Sequence, residues 1–489
     1  MSDPTTGTAR SRPTLWVLVF AGPALRTSLL GCLLVAEQEI GKVFDLGAVT
    51  LAILVESIVF GSLLAVFLVP PLVATVGIHR ASLSAALVSA LCLAVSIAAA
   101  PLMSAGALAT AILFCVATLL GFFVAVLSPV TQTLLNHATA TDARSRRSLQ
   151  SVWSAGQPTG FIVAALAGGV LLERFGWWTA LMVPLTLAIV SSLALLDRHI
   201  VHPSIRNEVV VRPGAHEIAW IVLALVAFEI WTTWGSLRSW VEPGVLVALM
   251  ATIVVSMVAF GQLRRSSRPA VSLAPFSIAA FAAATFLLFI YQFSTTAEFE
   301  VLLLNELGHL SSADIGTRTA VGNAGQVAGT AIAALLLLRH QAGLALVTGF
   351  TLTVVGLAGY VLYPWLDNLV FAASTRTIAG LGSGLLTPVL FVIALNKMPS
   401  SSQVAAGTWL VLALIGGTEV GLALFDMVLE VATGMIGTTV GSYLAVEIAQ
   451  LLLGTATALV AAWLTVRGSL ALVVDEAPVS SASSAQAVP

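Results

Sequence analysis

The chain has 489 residues, of which 58% are hydrophobic and 9% charged, with a formal net charge of −2. Soluble domains carry roughly 25% charge, so this composition excludes a water-soluble globular protein and makes lipid the solvent. The basic residues are spread through loops with no interleaved aromatics, which excludes a nucleic-acid-binding surface.

About 20 apolar residues cross roughly 30 Å of hydrocarbon as a helix, and the sequence offers fourteen such stretches. Six lie near 14–36, 47–76, 80–100, 105–137, 149–174 and 177–197. Two follow near 215–235 and 243–263, and six more near 274–296, 313–337, 343–364, 368–397, 403–430 and 441–466. With the N-terminus cytoplasmic, fifteen of the 21 basic residues fall in inside loops, and only Lys42, Arg174 and Arg238 fall outside. The positive-inside rule therefore predicts an all-α integral membrane protein with 14 transmembrane helices and both termini cytoplasmic. Cys32, Cys92 and Cys115 lie within spans and read as small buried apolar residues. Trp16, Trp177, Trp178, Trp220, Trp240, Trp365 and Trp463 sit near span ends, where amphipathic rings anchor at headgroup level.

The chain repeats itself. In span 4, Gly121-Phe-Phe-Val-Ala-Val-Leu-Ser-Pro129 matches Gly380-Leu-Gly-Ser-Gly-Leu-Leu-Thr-Pro388 in span 12. In the next spans Trp153 precedes Gly156 and Gly160, and Trp409 precedes Gly417 and Gly421. A parallel repeat of two six-helix bundles places the substrate path between them. The expected units are a first bundle over 1–212, an inserted helix pair over 213–265, a second bundle over 266–470 and a disordered cytoplasmic tail over 471–489. Glycines four apart are packing devices in membranes; in a rocking transporter the packed surface is also the moving one.

Charges at mid-depth cost at least about 2.5–3.5 kcal/mol and are normally turned toward a cavity or a partner. Here they are Arg26, Glu56, Glu229, Arg376, Glu419, Asp426 and Glu447. Glu419 and Asp426, seven apart, share one face of span 13 with Glu430. We expect Glu419, with Glu56, to take up a proton when open outside and lose it inside, with Arg26 or Arg376 as counter-charge. A carboxylate that alternates between a dry site and the company of an arginine changes its proton affinity. Permanent ion pairs stitching helices together are the competing reading, and Glu229, in the inserted pair, is read as structural. Gln292, Asn323 and Gln326 are substrate-contact candidates, although such amides also serve as interhelical glue.

Three stretches make the chain resemble the major facilitator superfamily in its fourteen-span drug:proton antiporter branch. They are Arg147-Ser-Leu-Gln-Ser-Val-Trp-Ser-Ala-Gly156 through Gly168, Gly169 and Phe175-Gly176-Trp177; Asn305-Glu-Leu-Gly308 through Asp314-Ile-Gly316; and Arg376-Thr-Ile-Ala-Gly380-Leu-Gly382-Ser-Gly384. The likeness covers about residues 13–467. The chain also departs from that pattern. The loop between spans 2 and 3 keeps Gly77 and Arg80 but lacks the usual acid, so the inward gate is latched differently. Ala164-Ala165-Leu166-Ala167-Gly168-Gly169 retains half of the antiporter motif, Ala117 stands opposite Arg376 in the repeat, and span 1 carries Arg26 in place of an Asp.

No Gly-rich phosphate loop is present, and His199 with His202 lacks other metal ligands nearby. No enzyme activity, metal or cofactor is expected, and the proton gradient is the energy source. The expected function is alternating-access export of lipophilic or amphipathic, drug-like molecules in exchange for protons. The alternatives are export or flipping of an envelope lipid, and a transport-inactive scaffold or sensor. Two Lys against nineteen Arg points to a GC-rich bacterial genome, hence a multi-pass protein of the bacterial inner membrane. The resemblance implies a monomer whose partners are its small-molecule or lipid substrate, protons and membrane lipids.

Overall fold

A computed structural model describes residues 13–100, 106–139, 142–197, 214–267, 269–295, 312–366, 368–396, 398–399, 402–467 and 470. The tail over 471–489, His199, His202 and the Asn305–Ser311 part of the second motif stretch lie outside these residues. Every regular element among them is helical. In chain order these are α1 (Pro13–Phe44), α2 (Ala48–Val76), α3 (Ile78–Ala99), α4 (Ala107–Ala138), α5 (Ala143–Phe175), α6 (Met182–Leu195), α7 (Ala215–Leu237) and α8 (Pro243–Arg265). They continue with α9 (Ala279–Ser294), α10 (Ser312–Leu338), α11 (Ala342–Leu366), α12 (Leu369–Leu395), α13 (Gln403–Ile436) and α14 (Thr439–Val466).

Among the described residues, thirteen segments are long and apolar enough to cross a membrane, and α9 is a shorter apolar helix of 16 residues. The expected start of span 9 at 274 is instead a 3-10 turn over Ala274–Ser277, followed by extended backbone at Ile278. Pro275 occupies the first turn of that 3-10 element, where its missing N–H costs nothing, and the regular ladder begins at Ala279. Elsewhere the helices overrun the apolar windows: α13 continues to Ile436 and stops where Gly437 takes a left-handed φ of 71°. Asp142 opens α5 by accepting from the Ser145 N–H (3.1 Å), and Asn368 opens α12 by accepting from Val370 and Phe371 (2.9 and 3.2 Å).

Helices α1 to α6 pack on one another, chiefly α1 on α5 and α2 on α4, while α10 on α12, α11 on α12 and α9 on α13 dominate the last six. Glycine sets these distances, and it does so in matched pairs. Gly61 faces the Thr118 carbonyl and Gly121 the Ile58 carbonyl between α2 and α4; Gly325 faces the Thr377 carbonyl and Gly380 the Gly322 carbonyl between α10 and α12. Likewise Gly156 meets the Phe20 carbonyl of α1, and Gly417 meets the Phe289 carbonyl of α9. Helices α7 and α8 pack mainly on each other and touch both α2 and α13 through α7.

Candidate functional site

The side of the molecule carrying the Gly77, Thr139 and His340 turns is the one expected to be cytoplasmic, and it is called the inner side below. There the two halves meet in a seal. Arg147 on α5 reaches the His340 ring after α10 (3.5 Å), and Trp153 of α5 lies against Phe391 of α12 with ring centroids 4.9 Å apart. Gly407 of α13 faces Gln132 and Pro129 of α4, and Phe67 of α2 meets Trp409 edge-on at 6.2 Å. Inside the seal, Gln132 donates to Gln150 Oε1 (2.7 Å) and Trp153 Nε1 donates to Thr131 (3.2 Å). Gln132, Asn136, Gln150 and Gln403 are all buried, and Gln132 Oε1, Asn136 Nδ2, Gln150 Nε2 and Gln403 Oε1 have no hydrogen-bond partner.

Outward of the seal, each helix contributes its next turns to a cavity of about 170 Å³. Arg26, Thr27, Ser128 and Gln157 come from α1, α4 and α5; Gln292, Gln326, Thr418 and Glu419 come from α9, α10 and α13. Pro23, Leu30, Val411, Leu414 and Ile415 make the rest of the wall apolar. Pro23 lies within α1 and leaves one turn without its backbone bond, and in the same wall the Thr27 hydroxyl donates to the Gln157 carbonyl (2.6 Å), joining α1 to α5. Arg26 and Glu419 thus come from opposite halves and interact electrostatically. Arg26 Nε is enclosed without a hydrogen-bond partner.

Gln292 and Gln326 also line a second cavity of about 150 Å³ within the last six helices, with Asn323, Arg376, Ser383 and Gln450. Arg376 therefore sits beside the central cavity rather than in it. Glu447 is fully buried on α14, one turn from Gln450. The three substrate-contact candidates all line these two cavities.

The acidic stripe of α13 divides. Glu419 enters the cavity, but Asp426 accepts from Trp240 Nε1 (2.8 Å), and Glu430 accepts from the Trp240 N–H (2.6 Å) and the Ser239 hydroxyl. These two acids tie α13 to the α7–α8 turn; seven residues advance a 3.6-residue helix by slightly less than two turns, so the stripe drifts around the axis. Glu56 does not join Glu419 either. It lines a groove of about 300 Å³ with Glu229, Thr118 and Thr233, between α2, α4 and α7. Glu229, read from sequence as structural, thus lines one groove with Glu56.

Of the remaining glycines, Gly77 turns the chain between α2 and α3 with φ 85°, and Arg80 is exposed beside it. Gly160 packs on the Ala24 carbonyl, Gly168 approaches Cys32 and Ala180 at 3.5 Å, Gly169 faces open space, and Gly421 is buried on α13. Sequence reasoning missed the seal. Gln132 and Asn136, four apart in span 4, were the signal for it, since amides at helical spacing in a span require a facing partner.

Comparison with known proteins addresses the whole architecture. A search of curated proteins found no sequence match. Among solved structures the chain is similar to the proton:xylose symporter XylE bound to 6-bromo-6-deoxy-D-glucose, with a TM-score of 0.63 at 14% identity, covering 91% of this chain and 94% of that one. It is also similar to the human organic anion transporter MFSD10 (TETRAN), with a TM-score of 0.60 at 13% identity, covering 92% and 99%. At these identities the likeness shows the fold alone. The family model described as Major Facilitator Superfamily matches residues 16–421, and with that match spanning most of the sequence, the chain belongs to the Major Facilitator Superfamily.

Proposed function

We propose that this protein exports amphipathic and lipophilic small molecules in exchange for protons, by alternating access, as the drug:proton antiporters do. The observation that carries the reading is the placement of Arg26 and Glu419 on opposite halves of one cavity, just outward of a closed inner seal. The cavity wall is polar on one part and aliphatic on another, which suits molecules with a charged or hydrogen-bonding end and an apolar body. A proton reaching Glu419 from outside neutralises it and loosens its hold on Arg26 across the halves. The halves can then part on the inner side, where loss of the proton restores the attraction as substrate enters. Arg376, Gln292 and Gln326 supply polar contacts for the substrate at the edge of the cavity. The two structural neighbours carry a sugar and organic anions, so the fold itself is neutral as to substrate. We place the protein in the bacterial plasma membrane as a monomer with fourteen spans and both termini inside, the twelve bundle helices flanking the α7–α8 pair.

Proton movement in everted vesicles tests this, with a panel of lipophilic ions and native lipid extract as substrates. Compound-dependent dissipation of the pH gradient by wild type, abolished in Glu419→Gln but retained in Asp426→Asn, is the expected result. Equal proton flux in wild type and Glu419→Gln would remove Glu419 from coupling, and selective stimulation by the lipid extract alone would move the substrate to envelope lipid.

A further inference from the structure

The seam between the α7–α8 pair and the bundles contains the largest void described here, about 460 Å³, on the face of α13 away from the Arg26–Glu419 cavity. Leu412, Gly416 and Val420 of α13 turn toward it, whereas Ile415 and Glu419 turn to the central cavity. Phe67, Phe228, Phe260, Phe289 and Trp409 make much of its wall, and Ser256 and Thr285 are its only hydroxyls. Water needs two to four polar partners to occupy such a space, and the Trp409 indole N–H is already given to the Ser272 carbonyl (3.0 Å). An empty void would forfeit the dispersion contacts of its lining. Hydrocarbon has to fill it.

Its place and size define which hydrocarbon. From Trp409 to Val420 the groove follows α13 for eleven residues, about 16 Å at 1.5 Å per residue, which is half of a hydrocarbon core of roughly 30 Å. The groove lies in the inner half, since it includes Leu263 at the end of α8, where Arg264 and Arg265 follow as exposed residues. Glu217, the acid at that end, is engaged by the Ser266 hydroxyl and the Ala270 N–H (3.0 Å). Both arginines are thus left to face a headgroup from the inner leaflet.

We infer that this seam is a resident site for an anionic phospholipid, one acyl chain between α7–α8 and α13 and the phosphate on Arg264 and Arg265. The lipid is a structural ligand and is separate from the transported substrate. It replaces side-chain packing between the inserted pair and the α2, α9 and α13 helices, so the face of α13 turned away from the central cavity, with Glu419 at its edge, rests on lipid.

The test uses full-length protein, delipidated in detergent and then offered phosphatidylglycerol or phosphatidylcholine, with bound lipid counted by native mass spectrometry. Wild type should retain one phosphatidylglycerol and melt higher with it than with phosphatidylcholine. Removing each arginine should cost about fivefold in that preference, the worth of a juxtamembrane basic residue, so Arg264→Gln with Arg265→Gln should bring the two lipids close to parity. Ala259→Trp, which fills the groove, should abolish retention. Should that variant fold poorly, chain-brominated phosphatidylglycerol at trace level in an unbrominated bilayer should quench wild-type fluorescence more than that of Trp409→Phe. Glu419→Gln should retain the lipid as wild type does, whereas loss in that variant or exchange during turnover would make it substrate. No retained lipid, an unchanged headgroup preference in the double variant, or equal quenching in Trp409→Phe would each overturn the inference.

Discussion

Replacing Gly121 or Gly380 by alanine is the sharpest probe of how the two halves are built. A Cβ at Gly121 would stand 2.1 Å from the Ile58 carbonyl oxygen, and one at Gly380 2.1 Å from the Gly322 oxygen, where ordinary contact begins at 3.4 Å. The shortfall is about 1.3 Å against backbone, so no rotamer change can relieve it. The helices must part, yet α4 is also held on α2 at Gly61, and α12 on α10 at Gly325 and Gly384. Overpacking of this kind costs roughly 1–3 kcal/mol, a fall of several degrees in Tm. Gly169→Ala is the control: nothing lies within 4 Å of its Cβ, and alanine is favoured over glycine in a helix by roughly 0.5–1 kcal/mol. Thermal unfolding of the three variants in detergent should therefore place Gly121→Ala and Gly380→Ala well below wild type, with Gly169→Ala level or above. Gly380→Ala should also lower transport, because α12 carries Arg376 into the polar cavity. If all three melted together, the close helix contacts would not be what sets the bundle geometry.

Three further outcomes are expected. Gln132→Leu combined with Gln150→Leu removes a hydrogen-bonded pair that leaves Gln132 Oε1 and Gln150 Nε2 buried and unpaired; each orphan costs about 1–3 kcal/mol, so the double variant should melt higher and turn over more slowly, and a lower Tm would count against a strained seal. Phe391→Ala deletes the ring against Trp153 and should cost about 3–5 kcal/mol of the sealed state, read as faster labelling from the inner side of a cysteine at Ser128 in a background lacking Cys32, Cys92 and Cys115; unchanged labelling would remove Phe391 from the seal. Asp426→Asn with Glu430→Gln weakens the tie to Ser239 and Trp240 and should lower Tm by an amount matching roughly 1–3 kcal/mol while sparing proton coupling; loss of coupling at normal stability would return Asp426 to the proton route.

Much of the architecture was legible because lipid imposes simple rules. Hydrophobic windows located the helices but not all their ends: α1 runs to Phe44 rather than 36, α5 starts at Ala143 rather than 149, and α13 reaches the left-handed Gly437, none of which hydropathy senses. The Gly-x7-Pro match between spans 4 and 12 anticipated that Gly121 and Gly380 would sit in equivalent helix pairs. Partnership was not legible. Glu419 and Asp426 share a stripe in sequence, yet one meets Arg26 and the other Trp240, because small rotations of a long helix decide which neighbour a side chain meets. Glu56 and Glu229, 173 positions apart, meet only through the docking of α7 on α2. The missing acid beside Gly77 signalled a different inner latch, and contacts such as Arg147 to His340 occupy that side.

Helix α13 connects these observations. Its inner end closes the seal through Gly407 and Trp409, its middle presents Glu419 to the central cavity and Gly416 to the lateral groove, and its outer end grips the α7–α8 turn through Asp426 and Glu430. A change of charge at Glu419 therefore acts on a helix that touches the seal, the inserted pair and the opposite half together. The outer grip joins carboxylate acceptors to N–H and O–H donors in a low-dielectric setting, where hydrogen bonds are strong, whereas Glu229 Oε1, in the groove against α2, has no hydrogen-bond partner. The hydrogen bonds of the inserted pair thus go to α13, while α7 packs more broadly on α2. Rocking of the halves therefore has to slide one of these two surfaces, the hydrogen-bonded one or the packed one.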